Sequence, residues 1–111
     1  MNANKINYDN IVHCIFLDEE KPEERQRQAD ILCAYFDCPL WQGAITGVDA
    51  WRRWFVVDNK GIAYLYNHDL FMSEKRKWTP ASEFIKGIVI DDAKIKKMQN
   101  EYFEAMNKLF E

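Results

Sequence analysis

The sequence predicts an α+β fold: two N-terminal helices, a four-stranded antiparallel meander and a C-terminal helix packed on the sheet. Three observations lead there. Residues 51–67, WRRWFVVDNKGIAYLYN, hold two runs of β-branched and aromatic residues around a polar turn. Before and after them, apolar residues recur at helical spacing. The chain of 111 residues, 48% hydrophobic and 30% charged with only 4 Gly and 3 Pro, suits one domain over residues 1–111, with one core and no linker.

Taken in order, Tyr8, Ile11, Val12, Ile15 and Phe16 fall at i, i+3, i+4, i+7 and i+8, which reads as a first helix over Tyr8–Leu17, capped by Asn7 or Asp9. The β-branched density of the same stretch also suits a short buried strand. Pro22 fits the first turn of a second helix that runs to about Asp37 and stops before Pro39. Its first half, EERQRQAD, reads as solvent-exposed, and its apolar face builds late through Ile31, Leu32, Tyr35 and Phe36. The segment 39–49 reads as a loop anchored by Trp41.

In the central hairpin, Asp58-Asn59-Lys60-Gly61 fits a type I turn closed by a glycine bulge, because Gly tolerates positive φ. The implied pairs are Val57 with Ile62, Phe55 with Tyr64 and Arg53 with Tyr66. Both faces are apolar, so both should be covered. Lys77-Trp78-Thr79 reads as a third strand stopped by Pro80, and Phe84–Ile90 as a fourth with Gly87 as a bulge. Asp91 is the better cap for the last helix, whose stripe of Ile95, Met98, Tyr102, Met106 and Leu109, widened by Phe103 and Phe110, covers one face of the meander. A homodimer seam through this helix is the alternative use of the stripe.

Function is constrained mainly by exclusion. No apolar run approaches the roughly 18–20 residues of a membrane helix, and the N-terminus, MNANKINYDN, lacks the order of a signal peptide. Three cysteines, Cys14, Cys33 and Cys38, read as free thiols of a cytoplasmic protein. A net charge of −3 argues against a dedicated nucleic-acid binder. Cys33 and Cys38 are five apart, the wrong spacing for a zinc knuckle and an offset that points them apart on a helix, so neither metal nor cofactor is expected. His68-Asp69 lies in a turn, Ser73 and Ser82 lack a strained elbow, and no glycine-rich loop opens a helix. No catalytic residues are assigned and the chain reads as a non-enzyme.

What stands out is the aromatic content of 14%: four Trp, five Tyr and seven Phe. A core of Phe16, Phe36, Trp54, Phe55, Tyr64, Phe84 and Tyr102, with Tyr35 as a further candidate, leaves rings over, and Trp and Tyr beside Arg is the composition of interface hot spots. The nominated partner-binding residues are Phe71, Lys75, Arg76, Lys77 and Trp78, which crowd one turn tip, together with Trp41, Trp51, Arg53 and Tyr66. Trp78 either packs back on the sheet or is presented outward.

The pattern W-x-x-W-F-V-V-D-x-x-G-x-A-Y-x-Y, with a lone Trp some eleven residues on, is carried here by Trp51, Trp54, Asp58, Gly61, Tyr64, Tyr66 and Trp78. It resembles a Trp-flanked meander of small bacteriophage and prophage proteins, over about 40 residues; Leu70-Phe71 stands where those proteins often carry a Pro. The resemblance implies an inhibitor of host machinery or of an anti-phage defence complex, including anti-CRISPR proteins, acting in the host cytosol. The sequence therefore points to a non-enzymatic protein that binds a host or defence protein. The competing expectation is a small-ligand or nucleotide module, with Trp51, Arg53, Tyr66 and Trp78 around its pocket.

Overall fold

At the centre of the sheet lies a strand where the sequence predicts a helix. In the computed structural model, which describes residues 6–38, 54–66 and 76–109, Tyr8–Asn10 form a single 3-10 turn. The Asn7 carboxamide caps it, accepting the Asp9 N–H at 3.0 Å. Ile11–Phe16 follow as β1. The helix over Tyr8–Leu17 is thereby overturned, and the physical reason is position. A central strand needs apolar residues on both faces, so its alternation is lost and the remaining pattern mimics helical spacing. The β-branched density was the better guide.

β1 pairs antiparallel with β2 (Trp54–Asp58), placing Cys14 opposite Val56, Ile15 opposite Phe55 and Phe16 opposite Trp54. The register shifts between Ile11 and His13, and Val12, 57% exposed, falls in this irregularity. β2 turns into β3 (Ala63–Tyr66) through the expected Asp58–Gly61 turn. Gly61 sits at φ +83° and donates to the Asp58 carbonyl at 3.1 Å, while the Asp58 N–H reaches the Ile62 carbonyl at 2.9 Å. The bulge takes up one residue more than the sequence reading assigned it. Val57 therefore faces Ala63, Phe55 faces Leu65 and Trp54 faces Tyr66, one step from the expected pairs. A slip of one residue exchanges the faces of β3, so Ala63 lies on the face of Phe55 and Val57.

Nor is the sheet a meander. Its order is β3-β2-β1-β4, where β4 is only Thr79–Pro80 and runs parallel to β1, with Ile15 beside Thr79 and Phe16 beside Pro80. The chain returns to the far edge of β1 instead of adding a strand beyond β3. The predicted fourth strand over Phe84–Ile90 is replaced by helix α2 (Ala81–Lys86) and an irregular connection, with Gly87 as the helix C-cap instead of a strand bulge. Helix formation there depends on a distant group. The Asp18 carboxylate accepts the Ser82 N–H at 3.0 Å and the Ser82 hydroxyl, supplying the N-terminal cap that Pro80 cannot.

Among the described residues one α-helix precedes the hairpin: α1, Pro22–Tyr35, with Pro22 in its first turn as expected. Its polar first half is solvated on one side only, at Glu23, Glu24 and Arg27. Arg25 is 1% exposed and donates through Nη1 to the carbonyls of Glu19 and Glu20 at 2.9 and 3.1 Å. Gln28 donates to Asp18 at 3.0 Å, and Asp30 accepts from Gln26 and Gln99, both at 2.8 Å. Helix α3, Asp92–Leu109, is capped as predicted by Asp91, which accepts the Lys94 N–H at 3.0 Å.

The helices close over one face of the sheet, burying Ile15, Phe55, Val57, Ala63, Leu32 and Cys33 in the main core. Phe36 and Phe84 pack against this core at its margin, their rings 5.8 Å apart. On the other face Val56 is also fully buried, while Cys14, Phe16 and Trp54 beside it are half-buried. α3 packs chiefly on α1, through Ile95 against Ile31 and Ala34, and reaches the main core at Tyr102; Phe103 points away, 60% exposed. Among the described residues no helix is long and apolar enough to cross a membrane.

Candidate functional site

Of the residues nominated from sequence, Trp41, Trp51, Arg53, Phe71 and Lys75 lie outside the described residues, as do His68, Asp69, Ser73 and Phe110. Tyr66 is placed by its backbone opposite Trp54. Arg76, Lys77 and Trp78 lead into β4 and do not form one presented cluster. Lys77 is exposed and Trp78 half-buried, whereas Arg76 turns inward and donates to the Cys14 thiol on β1. Burial pushes the Cys14 thiol up, and the Arg76 charge offsets part of that rise.

Exposed apolar surface gathers elsewhere, where the end of α1 meets the connection between α2 and α3. Val89 is 88% exposed, Tyr35 49% and Ile90 39%. With Ile31, Ala34, Asp91 and Lys94 they line a shallow recess of about 130 Å³. That is space for one side chain, far below the roughly 300–1,000 Å³ of a small-molecule pocket. Local structure explains why these groups stand here. Tyr35 is the last residue of α1, and its ring meets Phe36 and Phe84 edge-on at 5.0 and 5.8 Å, so packing fixes its orientation. Val89 and Ile90 sit in the five residues between α2 and α3, a span too short to bury both and still deliver Asp91 to its capping position. Charged groups rim the patch: Lys94 pairs with Asp37, and Arg27 with Asp92 at 2.9 Å. An apolar centre with an aromatic and a polar rim is the anatomy of a protein contact.

The groups able to carry chemistry are occupied structurally. Ser82 and Asp18 are spent on capping α2, and the Asp18 carboxyl, although burial pulls it upward, is held below its ordinary range by Ser82 and Gln28. Half-buried His13 lies between the rings of Phe36 and Phe84, at 5.1 and 5.7 Å. Among the described residues no group of three or more His, Cys, Asp or Glu side chains could hold a metal.

One pair escaped the sequence reading. Cys33 and Cys38, expected to point apart, lie close enough for each thiol to shift the other's pKa. The helix ends between them: Asp37 takes a left-handed conformation, φ +56°, and the Cys38 N–H donates to the Cys33 carbonyl at 2.8 Å. This is a Schellman motif, in which the third residue from the helix end meets the second residue beyond it. An Asp followed two residues later by Pro39 was the available signal, since Asp is among the few non-glycine residues that visit this conformation. No protein-family model, no curated protein and no solved structure matches this chain.

Proposed function

We propose that the protein is a non-enzymatic protein-binding protein and that the patch of Tyr35, Val89 and Ile90 is its contact surface. The observation that carries this reading is the contiguity of those three exposed side chains around a recess sized for a single apolar side chain, inside a charged rim. A partner would insert one aliphatic or aromatic side chain between Tyr35 and Val89 and meet Asp91 and Asp92 at the edge. A ring already held by Phe36 and Phe84 loses little freedom on binding, which favours Tyr35 as the anchor. The resemblance of the Trp-flanked hairpin to small phage proteins supports a host protein or an anti-phage defence complex as the partner class, met in the host cytosol. The three free thiols agree with a reducing compartment.

The test is capture from host lysate with the wild-type protein and with Val89→Asp. Protein retained by the former and lost with the latter supports the reading. Equal retention by both would place the contact elsewhere, and the exposed Lys77 with half-buried Trp78 would then be the next surface to alter.

A further inference from the structure

The thiol pair at the end of α1 carries an inference independent of the contact surface. The hydrogen bond from the Cys38 N–H to the Cys33 carbonyl, 2.8 Å, holds the two α-carbons roughly 5–6 Å apart, inside the range that a disulfide spans. The two thiols are near enough for each to shift the other's pKa, and the Cys38 sulfur lies 4.0 Å from the Ala63 carbonyl. Cys14 belongs to the other face of the sheet, paired with Val56, and cannot compete for either thiol. We propose that Cys33 and Cys38 are a peroxide-oxidisable dithiol that closes to an intramolecular disulfide across the end of α1, with Cys38 as the attacking thiol and Cys33 as the resolving one.

The assignment of roles follows from the surroundings. Cys33 is fully enclosed, whereas Cys38 is 5% exposed just past the helix end, where local opening costs least. The neighbouring Cys33 thiol holds the Cys38 thiol below its ordinary value against the opposing effect of burial, and Cys33 itself, paired with Cys38 and buried, is pushed well above. The Cys38 thiolate attacks one oxygen of hydrogen peroxide, the O–O bond breaks, and hydroxide leaves, giving a sulfenic acid. The Cys33 sulfur then attacks the Cys38 sulfur, the S–O bond breaks, and water leaves as the S–S bond forms. In sum, two thiols and one peroxide give one disulfide and two waters, the peroxide taking the two electrons. A small oxidant suits a site too enclosed for a bulky disulfide.

The experiment treats the folded, reduced protein with hydrogen peroxide and reads intact mass and peptide linkage. The expected result is a loss of about 2 Da, the bridge mapping to Cys33 and Cys38, with Cys14→Ser closing as the wild type does. In Cys33→Ser, dimedone should trap a sulfenic acid on Cys38. Oxidation of Cys14 ahead of the pair, addition of oxygen without a bridge, or closure only in denaturant would overturn the proposal. Wild-type mapping decides the question even where Cys33→Ser fails to fold.

Discussion

The face of the sheet under the helices and the patch at the end of α1 are built from the same kinds of residue and treated in opposite ways. Ile15, Phe55 and Val57 are at most 1% exposed, while Val89 is 88% exposed and Tyr35 and Ile90 lie between. What separates them is the scaffold beneath. The core residues alternate along paired strands, so each lands on a face that three helices can cover. Val89 and Ile90 stand on an irregular connection with Asp91 committed to capping α3, and no element of the described chain lies over them. Composition alone therefore does not separate buried from exposed apolar residues. The element on which they sit does.

Substitutions should divide along the same line. The largest loss is expected for Phe55→Ala, where a ring with no exposure meets Phe36; the lost burial and cavity should cost about 3–5 kcal/mol in denaturant unfolding. Arg25→Ala comes next, at about 2–4 kcal/mol, because it strips the Glu19 and Glu20 carbonyls of a buried donor. A smaller effect, with a pH signature, is expected for Asp30→Asn. Burial raises the Asp30 carboxyl, and the amides of Gln26 and Gln99 offset part of the rise. A carboxyl whose folded pKa lies above its unfolded value contributes most in acid. Its contribution falls as pH rises from the unfolded value near 3.9 through the folded one, and stays lost above. Asp30→Asn should therefore gain on the wild type as pH rises towards 7, and a constant difference across that range would remove Asp30 from the account. Asp58 has the opposite sign. It too is buried, but the N–H groups of Asn7, Ile62 and Lys60 hold its carboxyl below the ordinary range, so its contribution fades in acid. The smallest effect on stability belongs to Val89→Asp, within about 0.5 kcal/mol, since the side chain is almost wholly solvated already.

How much of this was legible in the sequence depended on the range of the interaction. Pro22 and the Asp91 cap act within four residues and were read correctly, as was the place of the Asp58–Gly61 turn, though its register was one residue off. α2 was read as a strand because its cap, Asp18, lies 64 residues from Ser82. The buried polar face of α1 was missed because its partners come from the preceding loop and from Gln99 on α3. β1 was misread because its apolar residues, Ile11, Val12, Ile15 and Phe16, fall on both faces of the strand and show no alternation. The patch was hidden by the same error as α2: a strand over Phe84–Ile90 would have half-buried Val89 and Ile90. Much of the nominated site lies outside the described residues, and within it Arg76 proved to face Cys14.

The central claim is that the exposed apolar patch at the end of α1 binds a partner, with Val89 at its centre contributing little to the fold. Its most direct test is the affinity of the captured partner for wild type, Val89→Asp and Val12→Asp, the last an equally polar change at an exposed site in β1. All three should melt together. Val89→Asp should bind about 30-fold more weakly, the equivalent of about 2 kcal/mol, with Val12→Asp unchanged. Equal affinity for all three, or a loss confined to Val12→Asp, would contradict the account.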